Sequence, residues 1–553
     1  MRFIFIIILA ISLYTDSYGQ LLSGRNEFTR ADSLRGQLTP LRTCYDINYY
    51  HLDVRVDPDG RYISGSNLFR FTAADDFSRL QFDLFDNLSV DSVVYRSRQL
   101  PVEREYNAVF IDFPEAISKG QVDSFTVFYS GHPIQAKRAP WDGGFDFKKD
   151  SNGNHWIATA CQGIGASIWW PNKDHLSDEV DSMLISISVP NGLTDVSNGR
   201  FRGSEDLGDG YTRFDWFVSN PINNYNVAAN IGDYVHFADT FHGENGVLDL
   251  DYWVLRENES KAKPHFDANV KPMLRAFEHW FGPYPFYADG YKLVETSHLG
   301  MEHQSAVAYG NKYQNGYLGR DGSGTGWGNK WDFIIVHESG HEWFGNNITA
   351  KDLADMWIHE SFTNYAEALY IEYHFGEQAG REYIHGNRRT IQNLSPIIGR
   401  YGVNNEGSGD MYNKGGVLHN MVRTIIDDDG QWRQILRGLN STFRLRTVDY
   451  DDIVGYISEQ SGKDLSKVYD QYVRHASIPT LEFAFTADGT PLCRWIADVP
   501  GFDMPVRVRT KGSDWQFIHP NRQFTPVDIP GLTRSNLEVD TFNFYIGVLV
   551  EEQ

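Results

Sequence analysis

Between about Asn48 and Tyr234, apolar residues recur at every second position, the period of a strand with one face in a core and the other in water. Leu52-Asp53-Val54-Arg55-Val56, Phe69-Arg70-Phe71 and Phe125-Thr126-Val127-Phe128-Tyr129 show it most clearly. Asp57-Pro58-Asp59-Gly60 and Ser130-Gly131-His132-Pro133 are turn formers that punctuate these runs. So long a stretch in one period predicts an all-β domain of about 200 residues. After about Phe237 the period lengthens. Val270 to Phe277 carry helical spacing, as do residues 331–345, 354–374 and 414–427, which predicts a mixed α/β or mainly helical domain over residues 237–476. Past Pro479 the two-residue period returns in Leu481 to Phe485, Val506 to Arg509 and Phe544 to Val550. The remaining stretch, about 75 residues, is enough for a small β-sandwich. The chain therefore reads as multidomain α+β, divided at 20–236, 237–476 and 477–553.

The first nineteen residues read as a targeting segment. Arg2 supplies a positive start, Phe3 to Leu13 form an apolar run, and Ser17, Tyr18 and Gly19 suit cleavage before Gln20. The run is shorter than a membrane span, so the layout is that of a secretory signal and the expected address is periplasmic or extracellular. No cysteine follows it, which argues against a lipid anchor. No later segment approaches the length of apolar chain a span requires. The formal net charge of -23 provides no basic stripe for phosphates, so nucleic acid is excluded as a partner. Cys44, Cys161 and Cys493 allow at most one disulfide, and no CxxC pair exists for structural zinc.

Chemistry concentrates in Phe333-Ile334-Ile335-Val336-His337-Glu338-Ser339-Gly340-His341, an HExxH motif with an apolar lead-in. On a helix, positions i and i+4 share a face, so His337 and His341 can reach one ion. Glu338 is rotated by about 100° from His337 and stands beside the ion as a base. Zinc acidifies water toward a pKa of ~7, and a neighbouring carboxylate can take that proton and pass it to the leaving amine. A catalytic zinc needs a third protein ligand. Downstream, Met356 to Glu367 read as a second amphipathic helix with Glu360 on the face that should be buried, where a carboxylate is costly unless paired or bound to metal. The metal set is therefore read as His337, His341 and Glu360, holding one zinc ion. His359, a rival, points off that face and reads as structural.

The spacing of HExxH and Glu360, with eighteen residues between His341 and the glutamate, resembles the aminopeptidase N family of gluzincins (peptidase family M1), which includes leukotriene A4 hydrolase. Other segments are similar in the same order. Phe281-Gly282-Pro283-Tyr284-Pro285-Phe286 resembles the family's FGxPYP segment, and Gly300-Met301-Glu302-His303 its GxMEN motif. Tyr412-Asn413-Lys414-Gly415 resembles YxKG, and Cys161-Gln162 with Trp170-Pro171 resembles the amine-binding segment of the leukotriene A4 hydrolase branch. Asn224-Tyr225 to Gly232-Asp233 is similar to the exit from the first domain.

The resemblance implies a saddle-shaped N-terminal β domain, a thermolysin-like catalytic domain and a C-terminal β-sandwich. It also implies roles. Glu302 and Gln162 would hold the substrate's α-ammonium, Gly300 and Met301 would offer backbone to the peptide, and Tyr412 would stabilise the oxyanion beside the catalytic Glu338. Two positions depart from the pattern: His303 replaces the usual Asn, and Gln162 replaces the Glu of aminopeptidase N itself. The chain also ends after the sandwich, without the large helical domain of longer members, which implies a more open cleft. The expected activity is that of an exported zinc aminopeptidase acting on peptides with a free N-terminus, with a monomer favoured. A zinc endopeptidase of the same fold and a non-catalytic secreted binding protein with a relic metal site are the alternatives.

Overall fold

A computed structural model describes residues 27–551. The signal segment read over residues 1–19 lies outside the described residues. Tyr45–Asp57 runs through an eight-stranded sheet, antiparallel to Tyr62–Ala73 and parallel to Ser182–Pro190. Its Leu52, Val54 and Val56 are fully buried while Asp53 and Arg55 are half-buried, which is the two-residue period in three dimensions. The hairpin turns where Asp57 Oδ1 accepts the backbone N–H groups of Asp59 and Gly60 at 3.1 and 3.0 Å, leaving the turn's donors satisfied. Phe69 stacks on Phe125 across the sheet at 4.6 Å, and burying each such ring contributes about 1.5–3 kcal/mol. A three-stranded sheet (Phe77–Asp83, Ala108–Ile117, Val102–Glu105) and a four-stranded sheet (Thr194–Val196, Asn230–Gly232, His155–Ala160, Gly144–Lys149) complete this β-rich part.

Asn230–Gly232 still pairs in that four-stranded sheet, whereas Tyr234–Gly243 opens a five-stranded one. The change of sheet therefore falls at Asp233. The five-stranded sheet runs Tyr234–Gly243, Gly246–Leu255, Tyr291–Glu295, Val307–Tyr309 and, at its edge, Gly300–Met301. Against it pack the helices Glu259–Phe281 and Phe333–Gly340; Trp357–Phe375 lies on these two helices and Asn413–Ile426 on Trp357–Phe375. The HExxH helix is shorter than the helical spacing over 331–345 suggests. Phe344 and Gly345 leave helical geometry, and Gly345 has φ of 136°, a conformation open to glycine.

Two small sheets follow the helix Ser466–Arg474. One holds Thr525–Pro526, Pro491–Ile496, Thr480–Phe485 and Gly547–Val550; the other holds Gln516–Ile518, Val506–Thr510 and Leu537–Val539. Of the 544–550 run, only Gly547–Val550 pairs as a strand. Leu481, Phe483, Trp495, Val506 and Val508 belong to the same apolar core as the helices, so the C-terminal sheets are not a separate core. Lys414 Nζ fastens the junction by donating to the carbonyls of His475 and Ala476 at 2.9 and 2.8 Å. Cys44, Cys161 and Cys493 are all buried and free. Among the described residues, no helix is long and apolar enough to cross a membrane.

Candidate active site

The HExxH helix is fixed at its start by one fully buried side chain. Asp332 caps it by accepting the N–H of Ile335 at 3.1 Å. The same carboxylate accepts the Tyr309 hydroxyl at 2.8 Å and Asn311 Nδ2 at 2.9 Å, and pairs with His265 Nε2 at 2.7 Å. Tyr309 lies on the five-stranded sheet and His265 on the Glu259–Phe281 helix, so sheet and helix meet at the motif's first turn. At the other end, Gly340 explains itself. A methyl there would stand 3.0 Å from Thr363 Cγ2, so the residue that weakens the helix is the point where it crosses the Trp357–Phe375 helix closely.

That crossing sets His337 and His341 against Glu360. Ligating atoms of the three lie within 4.8 Å of one another, and Glu360 Oε2 is 3.6 Å from His337 Nε2 and 3.4 Å from His341 Nε2. All three side chains are buried. Each histidine is oriented from behind. His337 Nδ1 sits 2.7 Å from Glu367 Oε1, and Glu367 Oε2 in turn accepts the Tyr383 hydroxyl at 2.6 Å. His341 Nδ1 sits 3.0 Å from the Phe344 carbonyl, which the chain presents because Gly345 lets it turn back. Both rings thereby aim Nε2 at the same point. The rings of Phe333 and Tyr412 flank His337 at 5.2 and 6.0 Å.

Glu360 Oε2 is buried with no hydrogen-bond partner, as a ligand atom is before its metal is counted. Two imidazoles and a carboxylate are the donor set of a catalytic zinc, and the residues fit that ion. A second grouping, Glu302, Glu338 and His341, is equally compact. Its Glu302 is already engaged, since Oε1 accepts Gln162 Nε2 at 2.7 Å and the Tyr225 hydroxyl at 3.1 Å. The first set, with the unpartnered Glu360 Oε2 between its two imidazoles, is the better candidate for the metal. His359, the rival ligand, faces away and accepts the Ala350 N–H through Nε2 at 2.8 Å.

Around this centre, Gln162, Gly300, Met301, Glu302, Glu338 and Tyr412 line one cavity of about 530 Å³ together with the three metal residues. Gln162 follows the end of strand His155–Ala160, and its Nε2 donates to Glu302 and, at 3.0 Å, to Glu360 Oε1. One amide thus links the amine-binding candidate to the metal ligand. Gly300 lies so close to Glu338 that a methyl would stand 2.7 Å from its Oε1. Burial pushes the Glu338 carboxyl up to about 7; His337 and His341 oppose that rise and Glu302 adds to it. Burial, reinforced by Glu360, holds the Tyr412 phenol well above its usual value, so it remains a donor. His303 is fully buried beside His298 with neither ring nitrogen hydrogen-bonded, and burial depresses its pKa to about 3.

Glu367, Tyr383 and Tyr225 carry supporting contacts that were not singled out in the sequence. Glu367 had a signal: it lies two turns after Glu360 on the same helix face. Tyr225 lay in the segment similar to the exit from the first domain but with no contact assigned, and Tyr383 had no signal, because their partners come from distant segments.

Residues 267–472 match the peptidase family M1 domain. The chain carries an M1 peptidase domain. It is 26% identical to an aminopeptidase N of Lactobacillus helveticus over 304 residues, 51% of this chain and 34% of that protein. It is 20% identical to a probable aminopeptidase 1 of Saccharolobus solfataricus over 344 residues, 60% of this chain and 42% of that one. The matched region thus spans less than half the length of either relative. A two-domain M1 zinc metallopeptidase mutant bound to L-tryptophan superposes with a TM-score of 0.67 at 19% identity, covering 80% of this chain and 96% of that one. A Deinococcus radiodurans M1 zinc metallopeptidase mutant bound to a Tyr-Ser-Ala substrate gives 0.65 at 18% identity, with the same coverage. The M1 fold therefore extends over most of the chain.

Proposed function

We propose that the protein is a zinc aminopeptidase that removes single residues from the N-terminus of peptides. The observation that carries this reading is Glu302: a buried carboxylate one residue past an edge strand, beside the metal set and tied to it through Gln162. The Gly300–Met301 edge offers backbone groups to which a peptide can add as a further strand. Glu302 receives the α-ammonium, and that charge pair fixes the register one residue from the chain end. His337, His341 and Glu360 would hold the zinc, which when bound would supply Lewis acidity toward the scissile carbonyl and the attacking water. Glu338 takes a proton from the attacking water and delivers it to the leaving amine. Tyr412 donates a hydrogen bond to the oxyanion as charge develops there. The likeness to aminopeptidase N sequences supports the same reading.

The proposal includes export, supported by the apolar run Phe3 to Leu13, with a mature N-terminus at Gln20. N-terminal sequencing of protein recovered from a secreting host tests that part. The activity is tested with a panel of aminoacyl chromogenic substrates on zinc-loaded protein. Cleavage that disappears on chelation and returns with zinc is expected; inertness toward every residue type overturns the reading.

A further inference from the structure

The cavity lining also includes Arg138, Gln392, Leu394 and Ser395, all exposed and so at its rim, together with Pro140 and Trp141. Arg138 is the one lysine or arginine among the lining residues, where Glu302, Glu338, Glu360, Glu367 and Asp410 supply carboxylates. Two of those carboxylates are engaged elsewhere. Asp410 accepts the backbone N–H groups of Gln392 and Asn393 at 2.9 and 2.6 Å, and Glu367 is held between His337 and Tyr383. The Arg138 guanidinium makes no ion pair or hydrogen bond among the described residues. Its backbone, in contrast, is pinned: Asp142 accepts the N–H groups of Lys137 and Arg138 at 2.8 and 2.9 Å. A fixed turn thus carries an uncommitted cation at the mouth of an otherwise anionic cavity.

We propose that Arg138 binds a substrate carboxylate remote from the amine at Glu302, a deepening that rests on the aminopeptidase reading. A guanidinium presents paired donors that match a carboxylate, whereas an anionic cavity alone repels it. Glu302 and Arg138 together make the cavity a site for short zwitterionic peptides, each extended residue spanning about 3.3 Å between the two charges. The carboxylate comes either from the peptide's C-terminus or from an acidic side chain.

The test compares neutral tri- and tetrapeptides as free acids, as C-terminal amides, and as amides carrying one glutamate, at constant ionic strength. In the wild type the neutral amides are expected to show a KM about tenfold above the free acids, with kcat little changed. Arg138→Ala is expected to bring that ratio close to one and Arg138→Lys to give an intermediate value. Recovery of low KM by the glutamate-bearing amide assigns the site to side-chain carboxylates; its absence assigns it to the C-terminus. Equal KM for acid and amide in the wild type, or a ratio that survives Arg138→Ala, overturns the proposal. Cleavage of none of these peptides is a different result, the failure of the aminopeptidase reading itself.

Discussion

The two ends of the cavity are built differently. At the inner end, His337 is held by Glu367 and Tyr383 behind it, Glu360 by Gln162, and Glu302 by Gln162 and Tyr225, all on buried or half-buried elements. At the rim, Leu394 is 79% exposed and the Arg138 guanidinium projects from a loop without a partner among the described residues. At the inner end the three candidate metal residues and Glu302 each have their position set by at least one further side chain. The proposal gives the rim a different part, a bias in which peptide binds, and Arg138 there is held only through its backbone.

Substitutions can break this contrast or sharpen it. Glu338→Gln keeps the shape and removes the base, so kcat is expected to fall about 10³-fold while zinc content per chain, read by metal analysis, stays the same. Tyr412→Phe removes one donor to the oxyanion and is expected to lower kcat about 10²-fold with little change in KM. Glu367→Ala takes away the partner of His337 Nδ1, and competition with a chelator should show zinc affinity reduced about 10–100-fold. Leu394→Ser lies at the other extreme. Thermal or denaturant unfolding should move by no more than about 0.5 kcal/mol, as for an exposed position without committed contacts. A loss of zinc at Leu394, or none at Glu367, would erase the distinction between the two ends.

What the sequence revealed follows the same division. The alternation Leu52, Val54, Val56 and the helical spacing around His337 and Glu360 are local patterns, and both appear as the corresponding strand and helices. The end of the HExxH helix was less legible, because Gly345 breaks it through a conformation that helical spacing does not register. Gly340 is a packing contact that its own segment does not announce, since its reason lies in Thr363 on another helix. The metal residues could be read because i, i+4 spacing fixes a common face. Tyr225, Tyr383 and the Arg138 turn could not, because their neighbours are brought together by sheets and loops far apart in the chain. The change of sheet at Asp233 is of the same kind, since strand pairing and not composition places it.

The central claim is that a buried carboxylate beside the metal counts from the peptide's free end. It is tested most directly by incubating one peptide, with a free and with an acetylated N-terminus, with the zinc-loaded protein and identifying the products by mass spectrometry. Stepwise loss of single residues from the free peptide, with the acetylated one intact, is the predicted result. Internal cleavage of both peptides at similar rates would contradict it.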